Sequence, residues 1–224
     1  MIAPDVYSNN DFTWNDRKHF MVMALCLEGA VLVAAIGLGW VFGIDPWESF
    51  RCTFAGILWG LFATVPLLCL MYAILRCHWL PIVTLCDMVF RILGPPLRAC
   101  RWYDRLVLAA MAGLCEELMF RGFLQVWLAG DQAASMGSIR FVVALLASNL
   151  VFGLLHPLTG MYVLLVSATG CYLGVVGWLD PIPETGHPNL IVPVIVHGVY
   201  DGIAFMVIVR KASSSQFPSV TQNG

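Results

Sequence analysis

Glu116, Glu117, His156, His197 and Asp201 are acids and imidazoles set in strongly apolar sequence, and they fall into three short patterns. The patterns are Glu116-Glu117-x-x-x-Arg121, Phe152-x-x-x-His156 and His197-x-x-x-Asp201. An uncompensated charge deep in a bilayer costs several kcal/mol, about 2.5–3.5 on insertion scales, so such residues face one another, a polar cavity or a reaction centre. Carboxylates and imidazoles gathered in one water-poor site can move protons and activate water, which is the chemistry of hydrolysis.

The spacings assign different tasks to these groups. Successive helical residues are rotated by about 100°, so Glu116 and Glu117 must point to different neighbours. Glu117 and Arg121 are four apart with the acid on the N-terminal side, the favourable order for an ion pair along one helical face. That pairing leaves Glu116 as the freer acid and the candidate general base, with His156 as its candidate partner for the same water. Phe152 and His156 share a helical face, and Pro157 requires a break or a redirected helix directly afterwards. His197 and Asp201 stack on one face between Gly198 and Gly202, whose small size admits a close-packed helix or a substrate strand. A proton on His197 and a hydrogen-bonding group at 201 could stabilise the oxyanion formed when water attacks an amide. Asp201 would donate only if protonated and would otherwise orient or charge His197.

These side chains need helices to hold them, and the composition supplies little else. Of the 224 residues 59% are hydrophobic and 12% charged, and mean hydropathy is +0.80, which excludes an ordinary soluble domain. Apolar stretches of about 20 residues recur along the chain, so the expected fold is all-α, a polytopic transmembrane helical bundle. Six spans are expected, at 20–43, 52–75, 104–130, 141–158, 160–179 and 190–210. Between the second and third, residues 79–101 place Ile82, Leu85, Val89, Ile92 and Leu93 at helical spacing beside Asp87, Arg91, Arg98 and Arg101, the pattern of an interfacial helix. Gly94-Pro95-Pro96 is expected to end that helix. The implied organisation is a polar N-terminal segment (1–19), the first spans with the interfacial helix (20–103), a core (104–210) and a polar tail (211–224).

With the N-terminus inside, nine of the twelve Lys and Arg fall on the cytoplasmic side: Arg17, Lys18, Arg76, Arg91, Arg98, Arg101, Arg105, Arg210 and Lys211. The positive-inside rule therefore predicts an integral, multi-pass protein with both termini cytoplasmic. Residues 1–19 contain no short apolar run followed by a small-residue cleavage site, so no cleaved signal peptide is expected. The eight cysteines form no C-x-x-C pair and read as buried free thiols. Gly170-x-x-x-Gly174 reads as a helix-packing stripe, and Glu28 receives no catalytic role. On these spans His156 lies near the cytoplasmic end and His197 nearer the outer end, a depth difference of about 10–15 Å at 1.5 Å per residue that a single site would have to close.

The order E-E-x-x-x-R, F-x-x-x-H, small-residue span, H-x-x-x-N/D resembles the CPBP family, the group of CAAX-processing endopeptidases and bacteriocin-processing or immunity proteins. The resemblance covers roughly 106–207. It implies an intramembrane protease in which Glu116 and His156 activate water and His197 and position 201 stabilise the oxyanion. It also implies that Glu117, Arg121 and Phe152 shape the site or bind substrate. The eukaryotic Ras-converting branch has Asn at the last position, where this chain has Asp201. A glutamate-dependent mechanism without cofactor is expected, and zinc held by Glu116, His156 and His197 is the alternative; no H-E-x-x-H is present to favour it. The expected partners are membrane lipid and a peptide or membrane-protein substrate, with no nucleic acid, in a prokaryotic plasma membrane. Two rival functions use the same residues: a proton-coupled transporter, and a non-catalytic immunity or scaffold protein that keeps them as a polar core.

Overall fold

The computed structural model describes residues 17–133, 135–182 and 186–214, so most of the expected polar N-terminal segment and most of the polar tail lie outside the described residues. Two long apolar helices come first, α1 (Arg17–Phe42) and α2 (Phe54–Arg76). They are followed by α3 (Leu80–Ala99) and α4 (Trp102–Glu117). A π-helical segment, Leu118–Leu124, continues α4 with helical dihedrals at both junctions and leads into α5 (Gln125–Ala129). The chain closes with α6 (Ile139–Leu154), α7 (Gly160–Val176) and α8 (Ile191–Ser214). A two-residue hairpin, β1 (Pro181–Ile182) against β2 (His187–Pro188), joins the last two helices. Large apolar side chains such as Val33, Phe62 and Leu155 point outward, as a lipid-facing bundle requires.

Helix directions follow from what meets at each end. Asp104, at the start of α4, accepts two hydrogen bonds from Arg17 at the start of α1, at 2.6 and 2.7 Å, and a third from the Arg101 backbone at 2.7 Å. α1 and α4 are therefore parallel. At the other end, Asp180 accepts from Thr53 Oγ1 at 2.7 Å and from Asn189 Nδ2 at 2.9 Å, while Asn189 Oδ1 accepts the Arg51 and Ile191 amides. This polar clasp ties the start of α2 to the start of α8 and fixes where His197, one and a half turns into α8, enters the bundle. α8 runs antiparallel to α4, and the two backbones nearly touch: a Cβ on Gly113 would lie 2.9 Å from the Gly198 nitrogen. Gly198 thus serves close helix packing, one of its two expected uses.

These directions decide what α3 does. By length and composition α1, α2, α3, Gly160–Leu179 and α8 can each cross a membrane, while α6 is shorter. Yet α2 ends, and α4 begins, at the same end of the bundle as the C-terminus of α8. Arg76 lines a surface pocket with Arg210 and Lys211, and Leu106 lies over Gly202. α3 joins the two through short connections and so lies across that end, packed on α8, in keeping with the expected interfacial helix. Gly94-Pro95-Pro96 does not end it, contrary to the sequence reading; α3 continues to Ala99, with both prolines inside its last turns. The carbonyls that these prolines leave without an N–H partner belong to Arg91 and Ile92, both exposed, so the interruption is tolerated there. The expected span at 104–130 is one continuous rod whose hydrogen-bond ladder changes at the π-helical segment, immediately after Glu116-Glu117.

Candidate active site

α4 delivers both acids at its last turn, and the 100° step between them sends them to different surroundings. Glu117 is fully buried. Its Oε1 accepts from Arg121 Nη1 and from His197 Nδ1, both at 2.8 Å. Arg121, in the π-helical segment, also donates Nη2 to Asn149 Oδ1 at 2.6 Å and to the Gly170 carbonyl at 2.9 Å. π-Helical turns are frequent at functional sites. Here it carries the arginine that neutralises a buried acid; the extra bonds to Asn149, Gly170 and His197 offset much of the cost of burying the pair, while Glu117 Oε2 and Arg121 Nε have no partner among the described residues.

Glu116 faces the other way. Its carboxylate lies 3.8 Å from His156 Nε2 and 3.6 Å from His197 Nε2, too far for direct hydrogen bonds and close enough for a bridging water. His197 Nε2 is also 3.5 Å from Asp201 Oδ2. Both imidazoles are held from behind. His156 Nδ1 is 2.8 Å from the Phe152 carbonyl, which can only accept, so this nitrogen carries the proton. His197 Nδ1 donates to Glu117 in the same way. Each ring therefore turns Nε2 towards Glu116, because the acceptor bonded to Nδ1 fixes both the tautomer and the ring orientation.

The depth conflict expected between His156 and His197 is closed in the fold. α6 ends at Leu154, and His156 sits in the turn beyond it, its backbone amide bonded to the Gly153 carbonyl at 3.0 Å. The break required by Pro157 is thus what frees the ring to reach Glu116. Phe152 packs among the other members: its ring centroid is 4.9 Å from His156, 6.2 Å from His197 and 4.8 Å from the Arg121 guanidinium carbon. The guanidinium over the ring adds a cation–π contact to the Arg121 clasp.

Glu116, His156, His197 and Asp201 line one cavity of about 420 Å³, walled mainly by apolar residues of α1, α2, α3, α7 and α8. Phe152 lines it as well, whereas Glu117 and Arg121 stand behind its wall. Among the described residues no group of three His, Cys, Asp or Glu side chains is arranged to hold a metal ion.

Sequence reasoning missed the supports behind this front. Asn149 and Gln125 are buried amides in apolar helices; the first holds Arg121, and the second donates to the Gly174 carbonyl at 3.3 Å. Gly170 and Gly174, read as packing residues alone, thus also offer carbonyls to buried polar side chains, Gly170 to Arg121 and Gly174 to Gln125. A Cβ on Gly170 would lie 2.4 Å from Asn149 Oδ1. The available signal was an amide inside a hydrophobic run, four residues after Arg121 in one case. The Glu117–His197 bond, which links two of the three motifs, had no signal in spacing.

These features define a class: a multi-pass helical membrane protein with a buried acid–imidazole site opening into an apolar cavity. Residues 99–203, a little under half of the chain, match the family model described as type II CAAX prenyl endopeptidase Rce1-like, a membrane protease family, in agreement with the CPBP resemblance. The match takes in all three motifs. No curated protein and no solved structure gives a significant match.

Proposed function

We propose that this protein is a CAAX-type intramembrane endopeptidase in which Glu116 is the general base. The observation that carries the reading is the convergence of His156 Nε2 and His197 Nε2 on the Glu116 carboxylate at 3.8 and 3.6 Å, at the wall of an apolar cavity. In this mechanism a water bridges Glu116 and His156 Nε2. Glu116 takes its proton as the oxygen attacks the scissile carbonyl, and His156, fixed by the Phe152 carbonyl, orients the water. His197 in its imidazolium form keeps Nδ1–H on Glu117 and offers Nε2–H to the oxyanion; Asp201 orients and charges that imidazolium. Collapse of the tetrahedral intermediate breaks the C–N bond, and Glu116 returns the proton to the leaving amine. Arg121 and Glu117 act from behind the wall by holding His197.

The proposal is free of metal and other cofactors. Cleavage should survive chelation, and stoichiometric zinc with loss of activity on chelation would overturn this part. Orientation belongs to the proposal as well: Arg17, Arg76, Arg105 and Arg210 gather at one end of the bundle, which we assign with both termini to the cytoplasmic side of a prokaryotic plasma membrane. The substrate is a peptide or membrane protein taken from the lipid phase. The test compares new protein N-termini in cells carrying the wild type or Glu116→Gln at matched membrane abundance. A discrete set lost in the mutant supports the reading; identical sets, with flux that depends on Glu116, would transfer the site to the transporter reading.

A further inference from the structure

Glu28 is the one acid within the apolar run of α1 and takes no part in the arrangement above. Its Oε2 is buried and has no hydrogen-bond partner. A carboxyl group in the middle of a span is costly unless something meets it. Phe20, Ala24 and Glu28, at a spacing of four, place one stripe of α1 along the cavity that Glu116, His197 and Asp201 also line. Glu28 lies within electrostatic range of all three. No Lys or Arg lines that cavity, and its two imidazoles are committed elsewhere, His156 Nδ1 to the Phe152 carbonyl and His197 Nδ1 to Glu117 with each Nε2 towards Glu116, so none of the described residues donates to Glu28 Oε2. Glu28 differs from Glu117, whose Oε2 also lacks a partner, in lining the cavity, where an entering molecule can supply a donor.

A peptide strand entering an apolar cavity brings backbone N–H groups that lose water, and each needs an acceptor. In the mechanism above Glu116 is engaged with water, Glu117 stands behind the cavity wall paired through Oε1 with Arg121 and His197, and Asp201 serves His197. We propose that Glu28 contacts the substrate, accepting a hydrogen bond from a backbone N–H and holding the strand from the α1 side of the cavity while Glu116 acts from α4. Glu28 lies outside the family-matched segment, so the first helix, which carries none of the three motifs, completes the binding site. This inference rests on the protease reading for its peptide ligand.

The probe is a fluorescent farnesylated CAAX-type peptide, and binding is measured on full-length Glu116→Gln protein in nanodiscs so that turnover does not intervene. Adding Glu28→Leu should weaken binding roughly tenfold or more, because a desolvated substrate N–H is left without an acceptor, whereas Glu28→Gln, which keeps an acceptor oxygen, should stay within about threefold. Leu in place of a lone acid suits an apolar helix, so the variant should accumulate normally. Equal binding with and without Glu28→Leu overturns the inference, as does the absence of any binding to the Glu116→Gln protein. Cleavage of the same peptide by the wild type separates the two claims. Cleavage with Glu28-independent binding sinks this inference alone, and Glu28-dependent binding without cleavage sinks the hydrolytic reading while the contact stands.

Discussion

Glu116 and Glu117 are chain neighbours with opposite fates. On the Glu117 side every contact is short and internal: Arg121, His197, Asn149 and the Gly170 carbonyl form a closed set with distances of 2.6–2.9 Å and side chains shielded from solvent. On the Glu116 side the nearest ring nitrogens stand 3.6–3.8 Å away, and the carboxylate looks into a cavity. Placing charge in an apolar bundle therefore takes two forms here. One acid is paired through its Oε1 with Arg121 and His197, its Oε2 buried away from the cavity, and becomes a fixed structural charge; the other has no hydrogen bond from either imidazole and faces the cavity, where a water or substrate can complete it. His197 reaches both acids, Glu117 through Nδ1 on the closed side and Glu116 through Nε2 on the open side.

The difference can be broken by substitution. Glu116→Gln should reduce peptide cleavage about 10²–10⁴-fold, the range for removing a general acid–base group, while thermal unfolding in detergent stays at the wild-type midpoint. A Glu116→Gln protein that also unfolds early would mean that both acids are structural. Arg121→Met should do the reverse, lowering stability by about 3–5 kcal/mol, because the buried Glu117 keeps only His197 as a partner and Asn149 and the Gly170 carbonyl lose their donor. Wild-type stability in that variant would show that the closed side is not a clasp. Gly170→Ala sharpens the same point at smaller scale: its Cβ would press on Asn149 Oδ1 and Arg121 Nη2, and overpacking of this kind costs about 1–3 kcal/mol. Restoration of its midpoint by a second change, Asn149→Ala, would locate the strain. The smallest effect is expected at the edge, where Arg17→Ala removes the ion pair of a part-exposed arginine with Asp104; a small loss that shrinks with added salt is the expected readout in chemical denaturation.

Much of this was legible in one dimension. The apolar runs give α1, α2, α7 and α8, and the four-residue spacing of Glu117 and Arg121 gives their ion pair, because both depend on local periodicity alone. The freer state of Glu116 follows from the same geometry. The end of α3 was misread, since Pro95 and Pro96 stop a helix only where the carbonyls they strand cannot reach a polar environment, and Arg91 and Ile92 are exposed. The depth conflict between His156 and His197 came from treating α6 as a span that carries its histidine to the end. The helix stops two residues earlier, and the turn swings the ring back to Glu116.

The sequence by itself determined that this is a helical membrane protein, which helices carry the acids and imidazoles, and that Glu117 is the paired acid. These follow from apolar length and from side chains four residues apart, and neither needs a distant partner. Only the tertiary structure decided that His197 is held by Glu117, that Asn149 and Gly170 secure Arg121, and that Glu28 faces the same cavity as Glu116. Those relations join residues 28 to 88 positions apart. They depend on the crossing of α4 with α8 at Gly113 and Gly198, on the polar clasp at Asn189, and on the turn after α6, which are properties of packing and have no periodicity to read.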